Sequence, residues 1–248
     1  MLHYIQDQVI IITGGSRGYG FSAAKFLLEM GAKVVITGRD QAKLAQSLAE
    51  LSAVAGAENV MAHPLEATDG AQWDALLAAT VERFGKIDIL VNNHGAAIKI
   101  APTEDMSDDD FRKVLDVNIT SVMMGCKRVI PIMKKNGRGT ILNISSGCAT
   151  QAWPCWAIYT AAKAGMMEFS RCLHKEIESW GGRAMCFLPG AGQTEFCVAA
   201  NVDFDLTGFP TADDVARTMV FMLDQPESCV LETVSQWGTK QVAGITPW

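Results

Sequence analysis

The sequence predicts an α/β fold in which one doubly wound parallel β-sheet is covered by helices on both faces. Short runs of apolar, largely β-branched residues alternate along the chain with longer segments of helical pattern. The runs are apolar at successive positions, which indicates strands buried on both faces, as in parallel sheets. Right-handed crossovers between such strands wind helices onto both sides of the sheet.

Strands and helices are expected in regular alternation. The strands are predicted at residues 8–13, 33–37, 60–65, 87–91, 140–144 and 184–188, and the helices at 20–30, 40–55, 70–84, 107–135 and 156–180. Gly31, Gly85 and Gly181 follow three of the helices, as is usual at helix C-termini. No linker or internal repeat interrupts the pattern, so residues 1–248 are predicted to form a single domain. Ligands of such sheets bind beyond the C-terminal ends of the strands, which makes the loops there the candidate site.

Composition and charge limit the function classes. Of the 248 residues, 49% are hydrophobic and 19% are charged, which is typical of a globular protein. The net charge of −6 argues against binding to a nucleic-acid duplex, which requires a basic face. No apolar run approaches the ~20 residues of a membrane-spanning helix. The first residues lack the basic and apolar segments of a signal peptide, so a cytoplasmic location without a membrane partner is expected.

The cysteines favour the same compartment. The chain has seven, at positions 126, 148, 155, 172, 186, 197 and 229. An odd number confined to one half of the chain is not a disulfide framework, and no Cys-x-x-Cys pair typical of a zinc site occurs. We therefore expect reduced, buried thiols and no bound metal.

A glycine-rich segment, Thr13–Gly20, follows the first predicted strand and opens the first helix. Glycines there allow a tight turn and let backbone N–H groups approach a pyrophosphate, whose charge the helix N-terminus favours. The segment lacks the Gly-Lys-Ser/Thr sequence of a nucleoside-triphosphate loop, so a dinucleotide is the expected ligand. An ordinary strand-to-helix turn is the alternative. The candidate cofactor contacts are Gly14, Ser16, Arg17, Gly18, Tyr19 and Gly20.

The end of the second strand favours NADP over NAD. Enzymes that use NAD place an acidic side chain there to bind the ribose 2′-hydroxyl. Here the strand continues into Gly38 and Arg39, and a guanidinium at that place can pair with a 2′-phosphate. Arg17 offers a second cation, whereas Asp40 is expected to cap the next helix. A solvated charge at the strand end is the alternative interpretation of Arg39.

Tyr159 and Lys163 lie four residues apart, and therefore on one face of the last predicted helix, while Ser146 follows the fifth strand. With the other motifs, these residues resemble the short-chain dehydrogenase/reductase family, whose members have a Rossmann fold. The resemblance extends from the N-terminus to about Thr194, and more loosely to the end of the chain. It rests on Thr13-Gly14…Gly18…Gly20, Asn92-Asn93-His94-Gly95, Asn118, Ser145-Ser146, Tyr159…Lys163 and Pro189-Gly190…Thr194, in the family's order and spacing. It implies reversible hydride transfer between a secondary alcohol and a ketone.

The chemistry of that transfer suggests roles for the catalytic residues. The alcohol proton must leave with the hydride, and a free tyrosine, with a pKa near ~10, is hardly ionised at neutral pH. The ammonium of Lys163 favours the phenolate of Tyr159, which acts as base in oxidation and as acid in reduction. Ser146 would hydrogen-bond the reacting oxygen; the family spacing selects it over Ser145. The resemblance further implies that Lys163 holds the nicotinamide ribose and that Asn118 holds a water of a proton relay.

The resemblance also implies further cofactor contacts. Asn92 and Gly95 are expected near the adenosine ribose, and Glu66 stands where the family often has an aspartate that meets adenine. The loop after the sixth strand is expected beside the nicotinamide, through Pro189, Gly190 and Thr194.

Two positions depart from the family's pattern. His94 stands where Ala is most frequent, and we interpret it as a packing variant and not as an added acid or base. Gly192 replaces a branched aliphatic residue, which predicts a looser clamp on the nicotinamide.

The substrate side of the site is predicted to be apolar. Its wall is expected from Gly147–Trp156 and from a substrate loop at about 195–212. The candidate contacts are Cys148, Trp153, Trp156 and Phe196, followed along the loop by Val198, Phe204, Leu206 and Phe209. The tryptophans favour a bulky apolar ketone or secondary alcohol, such as a hydroxysteroid or bile acid, although packing against helices or a partner subunit is the alternative. The absence of an Arg or Lys pair disfavours a phosphorylated substrate.

Other functions and an assembly state are also considered. A basic cluster could dock an acidic acyl carrier protein, as in a 3-ketoacyl-(acyl carrier protein) reductase, or form a solvated helix end. It consists of Lys127, Arg128, Lys134, Lys135 and Arg138. An NADP-bound sensor without turnover is the non-enzyme alternative, against which the complete catalytic set argues. The long helices have apolar residues that suggest a homodimer or homotetramer, namely Met123, Met124, Met166, Met167 and Phe169.

Overall fold

A parallel seven-stranded sheet forms the centre of the computed structural model, which describes residues 4–196, 206–239 and 241. Its strands are β1 (Val9–Ile12), β2 (Lys33–Gly38), β3 (Val60–Pro64), β4 (Ile89–Asn92), β5 (Gly139–Ile144), β6 (Gly182–Pro189) and β7 (Thr233–Gln236). The α-helices are α1 (Gly18–Glu29), α2 (Gln41–Ala55), α3 (Gly70–Phe84), α4 (Asp108–Leu115), α5 (Ser121–Lys135), α6 (Ala157–Ile177) and α7 (Ala212–Leu223). The strand order β3-β2-β1-β4-β5-β6-β7 is that of a doubly wound sheet.

Both faces of the sheet are buried, as the apolar runs predict. Every residue of β1 is inaccessible to solvent, and successive side chains point to opposite faces. Ile10 and Ile12 join a core with α1, α2 and α7, whereas Ile11 joins a second core with α3, α5 and α6. The predicted α/β fold with helices on both faces of a parallel sheet is therefore confirmed.

The predicted strands are all present, with bounds that differ by one or two residues. The helix expected at 107–135 is instead α4 and α5, joined by a π-helical turn at Asp116–Thr120. The sequence patterns do not reveal β7, because it is a short, polar and partly exposed edge strand. They also do not reveal α7, although its capping box, in which Thr211 and Asp214 bond reciprocally, is a start signal that can be read from the sequence.

The apolar residues assigned to subunit contact are mostly used within the chain. Met166 is fully buried in the second core, and Met124 and Phe169 pack partly against it. Met123 is the large exposed member of that set, at 38% of its surface. Met166 is therefore removed from the expected interface, because its side chain completes the packing between α6 and the sheet.

The structure also bears on membrane-spanning helices, disulfides and metal sites. None of the helices in the described part of the chain is long and apolar enough to cross a membrane. Within residues 4–196, 206–239 and 241, the cysteines are free and no cluster of His, Cys, Asp or Glu could hold a metal ion. Cys197 lies outside the described residues.

The strand order reverses between β1 and β4, which opens a crevice at the C-terminal ends of the strands. The loops after β1, β4, β5 and β6 meet at this crevice and line one cavity. These are the loops in which the sequence places the candidate residues.

Candidate active site

The cavity at the crevice has a volume of about 1030 Å³, at the upper end of the size range of ligand sites. Its wall contains most of the residues predicted to bind cofactor or substrate or to act in catalysis. These are Gly14, Ser16, Arg17, Gly18, Tyr19, Arg39, Glu66, Gly95, Ser146, Cys148, Trp153, Trp156, Tyr159, Lys163, Pro189, Gly190, Thr194 and Phe196. The fold thus brings together residues that are up to 182 positions apart, from Gly14 to Phe196 (196 − 14).

Three predicted site residues lie behind the cavity wall. A Cβ at Gly20 would lie 2.5 Å from Nδ2 of Asn93, so this glycine permits close packing of α1. Asn92 is fully buried, and its Nδ2 donates to Oδ1 of Asn143 at 2.8 Å. The amide faces the interior and joins β4 to β5, so the side chain of Asn92 does not line the cavity. Asn118 is also buried.

The glycine-rich segment has the geometry that a bound pyrophosphate requires. Gly14 has φ +63°, and a Cβ on it would lie 3.2 Å from Cα of His94, so the turn needs glycine. No side chain of the described residues caps the N-terminus of α1 at Arg17, and no acidic residue lies in the first turn. Backbone N–H groups at an uncapped helix N-terminus are a site for an anion.

The two cations expected at a 2′-phosphate each lie near a carboxylate. Nη1 of Arg17 is 2.7 Å from Oε2 of Glu195, and Nη1 of Arg39 is 3.6 Å from Oε2 of Glu66. All four side chains are substantially exposed, so each ion pair contributes only ~0–1 kcal/mol and a phosphate can displace it. Asp40 caps α2 by accepting from the backbone N–H of Lys43 at 3.0 Å, as predicted.

Tyr159 and Lys163 lie one turn apart on α6 and are both buried. Nζ of Lys163 donates to the carbonyl of Ile144 at 3.0 Å and lies 5.7 Å from the centre of the Tyr159 ring. Burial lowers the pKa of Lys163 from its ordinary value to about 8. The lysine is therefore still cationic at neutral pH, close to the phenol ring whose ionisation it is expected to favour.

The hydrogen bonds of the two adjacent serines separate their roles. The hydroxyl of Ser145 donates to the backbone carbonyl of Lys163 at 2.7 Å, so its proton is used within the fold. Oγ of Ser146 accepts from the backbone N–H of Cys148 at 3.2 Å, which leaves its own proton available to a ligand. The geometry thus supports Ser146 as the group that binds the reacting oxygen. In the sequence, only the family spacing favours Ser146 over Ser145.

Asn118 is held rigidly in the π-helical turn, a feature that often occurs at functional sites. Its Nδ2 donates to the carbonyl of Ala96 at 2.8 Å, and its Oδ1 accepts from the N–H of Ala96 at 3.1 Å. A Cβ at Gly95 would lie 3.0 Å from Oδ1 of Asn118 and 3.2 Å from Nζ of Lys163. Gly95 therefore keeps open the space between the asparagine and the lysine.

Comparison with known proteins agrees with this geometry. The family model described as short chain dehydrogenase matches residues 8–203. The chain belongs to the short-chain dehydrogenase family.

Two curated relatives and one solved structure show the range of this family around the chain. The 3-oxoacyl-[acyl-carrier-protein] reductase of Chlamydia pneumoniae is 34% identical over 232 residues, which cover 88% of this chain and 90% of that protein. The 3alpha-hydroxysteroid dehydrogenase of Mediterraneibacter gnavus is 29% identical over 240 residues, with coverage of 93% and 95%. The crystal structure of levodione reductase superposes with a TM-score of 0.88 at 29% identity and covers 96% of this chain and 99% of that one. Solved structures that match the fold include complexes with NADP+ and with NADH.

His94, a departure from the short-chain dehydrogenase pattern, joins three parts of the site. Its Nε2 lies 2.7 Å from Oγ of Ser121, and its Nδ1 lies 2.7 Å from Oγ1 of Thr13. A neutral imidazole donates from one ring nitrogen and accepts at the other. The Ser121 hydroxyl donates to the carbonyl of Val117 at 2.8 Å, whereas the contact of the Thr13 hydroxyl with the carbonyl of Val91 is longer, at 3.2 Å, so we assign Ser121 as the acceptor from Nε2–H and Thr13 as the donor to Nδ1. Burial, with the positive charges of Lys163 and then Arg39, lowers the pKa of His94 to about 3. A neutral imidazole that crosslinks the loop fits the predicted packing role.

A row of aromatic rings lines the part of this dehydrogenase cavity where the sequence predicts the substrate. The ring centres are 6.3 Å apart between Trp237 and Trp153, 6.5 Å between Trp153 and Trp156, and 5.4 Å between Trp156 and Tyr159. Phe196 continues the row, 5.9 Å from Tyr159. The tilted or edge-to-face contacts fix the ring orientations. Tyr159 lies within the row, between Trp156 and Phe196, so an apolar molecule packed on these rings would lie beside its phenol group.

Trp237 is a site residue that the sequence reasoning misses. It follows β7, and its ring packs so closely on Gly147 that a Cβ there would overlap it. Of the other expected wall residues, Cys148 is a buried thiol whose pKa burial raises to about 11, so it is not a nucleophile at neutral pH. Phe209 lines the cavity, whereas Leu206 does not. Val198 and Phe204 lie outside the described residues.

Proposed function

We propose that this protein is an NADP(H)-dependent oxidoreductase that interconverts a secondary alcohol and a ketone on an apolar, fairly bulky substrate. The observation that supports it most directly is the buried Tyr159–Lys163 pair, which lines the same cavity as the available hydroxyl of Ser146 and the aromatic wall. The same cavity contains the uncapped N-terminus of α1, which suits a dinucleotide.

The mechanism follows from the surroundings of each side chain. Bound NADP(H) supplies the hydride in reduction and accepts it in oxidation. In reduction, Tyr159 gives its phenolic proton to the oxygen that was the carbonyl, and Ser146 stabilises the charge that develops there. In oxidation, the phenolate of Tyr159 takes the alcohol proton. The ammonium of Lys163 stabilises that phenolate. We expect Asn118 to hold a water that relays protons through Lys163, and the space that Gly95 keeps open between the two side chains supports this role.

Arg39 and Arg17 support a preference for the phosphorylated cofactor. Both guanidinium groups line the cavity, and the ion pairs that they form are exposed and weak. The acid nearest to the end of β2, Asp40, is engaged as a helix cap and does not replace the missing ribose ligand. Glu66 lines the same region, where we expect it to face the adenine end of the cofactor.

The aromatic wall supports a bulky substrate with apolar rings, such as a hydroxysteroid or bile acid. The described residues that form this wall, including Trp153, Trp156 and Trp237, offer no cationic group for a phosphate, so the contacts available to a substrate there are apolar. The similarity to a 3alpha-hydroxysteroid dehydrogenase, whose name refers to a hydroxysteroid, agrees with this choice.

A 3-ketoacyl-(acyl carrier protein) reductase is the second candidate, because a relative of that name is 34% identical. The basic cluster gives it limited support. Arg128 is paired with Asp74 at 2.9 Å, and Arg138 is paired with Glu227 at 2.8 Å. Only part of the cluster's charge is therefore available for an acidic carrier.

The proposal is tested by following NADPH absorbance with a panel of substrates. The panel contains polycyclic ketones, small cyclic diketones and a 3-ketoacyl thioester, and the reverse reaction is followed with NADP+ and the matching alcohols. We expect turnover with a cyclic ketone and little with the thioester. Faster thioester turnover would favour the carrier-protein reductase, and tight NADPH binding without any turnover would favour the sensor.

The proposal includes assembly and location. Exposed Met123 on α5 and Phe221 on α7 support a homodimer or homotetramer, and the free thiols favour the reducing cytoplasm. Light scattering at micromolar concentration should return at least twice the 26.8 kDa mass of one chain. A monomer at that concentration would refute the assembly.

A further inference from the structure

Two side-chain contacts join the glycine-rich segment to the loop after β6 across the cavity. Arg17 forms its ion pair with Glu195 at 2.7 Å. A second contact brings the ring of Tyr19 against Gly192: a Cβ placed there would overlap the phenol oxygen and lie 3.2 Å from Cε1. Both segments line the cavity, so these contacts determine how far apart two of its walls stand.

The loop cannot yield to a side chain at position 192, because it is held from its other side. The backbone N–H of Gln193 donates to the carbonyl of Pro210 at 2.9 Å, and its side chain donates to the carbonyl of Phe209 at 2.8 Å. A Cβ on Gly192 would also lie 3.0 Å from the carbonyl oxygen of Pro210. The φ of Gly192 is not in the left-handed region, so space alone, and not backbone conformation, requires glycine there. Any side chain at 192 must displace Tyr19.

We propose that Tyr19 and Gly192 are a size-matched pair that sets the width of the dinucleotide cleft, so that cofactor affinity depends on the two residues jointly. Tyr19 is a positioning residue in this pair: its ring fills the volume that a branched side chain at 192 would occupy. The expectation of a looser nicotinamide clamp is thereby revised. This inference rests on the proposed function, because it requires a nicotinamide dinucleotide in the cleft.

A double-mutant cycle tests the pairing. The dissociation constants of NADPH and NADP+ are measured by calorimetry for the wild type, Gly192→Val, Tyr19→Ala and the double variant. Gly192→Val alone should weaken binding at least about tenfold, because overpacking forces Tyr19 into the cleft. In the Tyr19→Ala background the same substitution should weaken binding less than about threefold, a difference well beyond the additivity expected of independent sites. Gly192→Ala replaces Gly192→Val in the cycle if the larger variant does not fold.

Gly238→Val is the matched control, because it overpacks the same region from the far side of Pro210. A Cβ at Gly238 would lie 2.8 Å from Cδ of Pro210, and none of its three nearest atoms belongs to Tyr19. Its effect should therefore add to that of Tyr19→Ala. Thermal unfolding of each apoprotein and the separate kcat and KM values distinguish a cleft effect, which raises KM for NADPH, from lost stability.

Each outcome decides the inference. Rescue of Gly192→Val but not of Gly238→Val by Tyr19→Ala supports the pair. Additive losses in a wild type that binds NADPH overturn the pair and leave the proposed function intact. A wild type that binds none of NADPH, NADP+, NADH and NAD+ overturns the proposed function, and the inference with it.

Discussion

Replacing the buried Lys163 by Met should change how the stability of the apoprotein depends on pH. Burial lowers the pKa of this lysine from its ordinary value to about 8, because the charged form is poorly solvated there. Between pH 8 and pH ~10.5 the unfolded chain binds more protons at this residue than the folded chain does. Wild-type stability therefore rises with pH through that window. Methionine has a similar length and no proton to bind, so the variant lacks this rise.

The magnitude follows from the two pKa values. The penalty for burying the charged lysine is about 3 kcal/mol at pH 7, about 2 kcal/mol at pH 9 and about 1 kcal/mol at pH 10. The variant also loses the hydrogen bond from Nζ to the carbonyl of Ile144, which costs about 1 kcal/mol. Because the neutral amine also donates that bond, its loss shifts the comparison by a nearly constant amount and leaves the pH dependence visible.

Urea unfolding of both proteins without cofactor at pH 7, 8, 9 and 10 measures the difference. The stability of the wild type relative to Lys163→Met should increase by about 2 kcal/mol from pH 7 to pH 10. Lys127→Met, an exposed site on α5, is the matched control, and its difference from the wild type should stay flat because the side chain is solvated in both states. Parallel pH dependences for wild type and Lys163→Met would refute the buried-charge argument.

The remaining predictions concern turnover and cofactor choice. Tyr159→Phe keeps the ring packing and should lower turnover at least ~10²-fold with little change in NADPH affinity; near-normal activity would exclude the proposed acid/base. Ser146→Ala should reduce kcat strongly. Ser145→Ala should mainly lower stability, because the Ser145 hydroxyl is bonded to the backbone of α6. Equal losses of kcat in the two variants would contradict this. Arg39→Asp should weaken NADPH binding roughly ten- to a hundredfold through a lost pair of ~1.5–3 kcal/mol and leave NADH nearly unchanged, and a wild type that prefers NADH would reverse the charge argument.

Local patterns predict the strands and the catalytic helix because the physical cause is itself local. A run such as Val9–Ile12 is apolar at every position, and only a strand buried on both faces removes all of these side chains from water. The four-residue separation of Tyr159 and Lys163 places them on one helix face in any fold that forms α6. The edge strand β7 has no such signal, because one solvated edge leaves its residues polar.

Features that depend on distant partners are not accessible from the sequence. Met166 has the same apolar character as exposed Met123, and only the packing of α6 on the sheet separates them. Asn92 belongs to a site motif, yet its amide turns inward because Asn143 on the neighbouring strand offers an acceptor. Trp237 enters the substrate wall from the C-terminal segment, 90 positions from Gly147 (237 − 147), on which it packs.

The departures from the family pattern are compensated by residues that lie far away in the chain. In the sequence, Gly192 lacks the side chain that the family usually has at this position, but the ring of Tyr19 occupies the space that this side chain would fill. His94 appears as an added titratable group, but Thr13 and Ser121 saturate both ring nitrogens, and burial keeps it neutral. The looser clamp predicted from Gly192 alone takes no account of the Tyr19 ring, whereas the packing role predicted for His94 agrees with its two hydrogen bonds. Substitutions at these positions should therefore be interpreted through double-mutant cycles. A single variant measures the loss of the residue together with the disturbance of its partner, and the cycle separates the two effects.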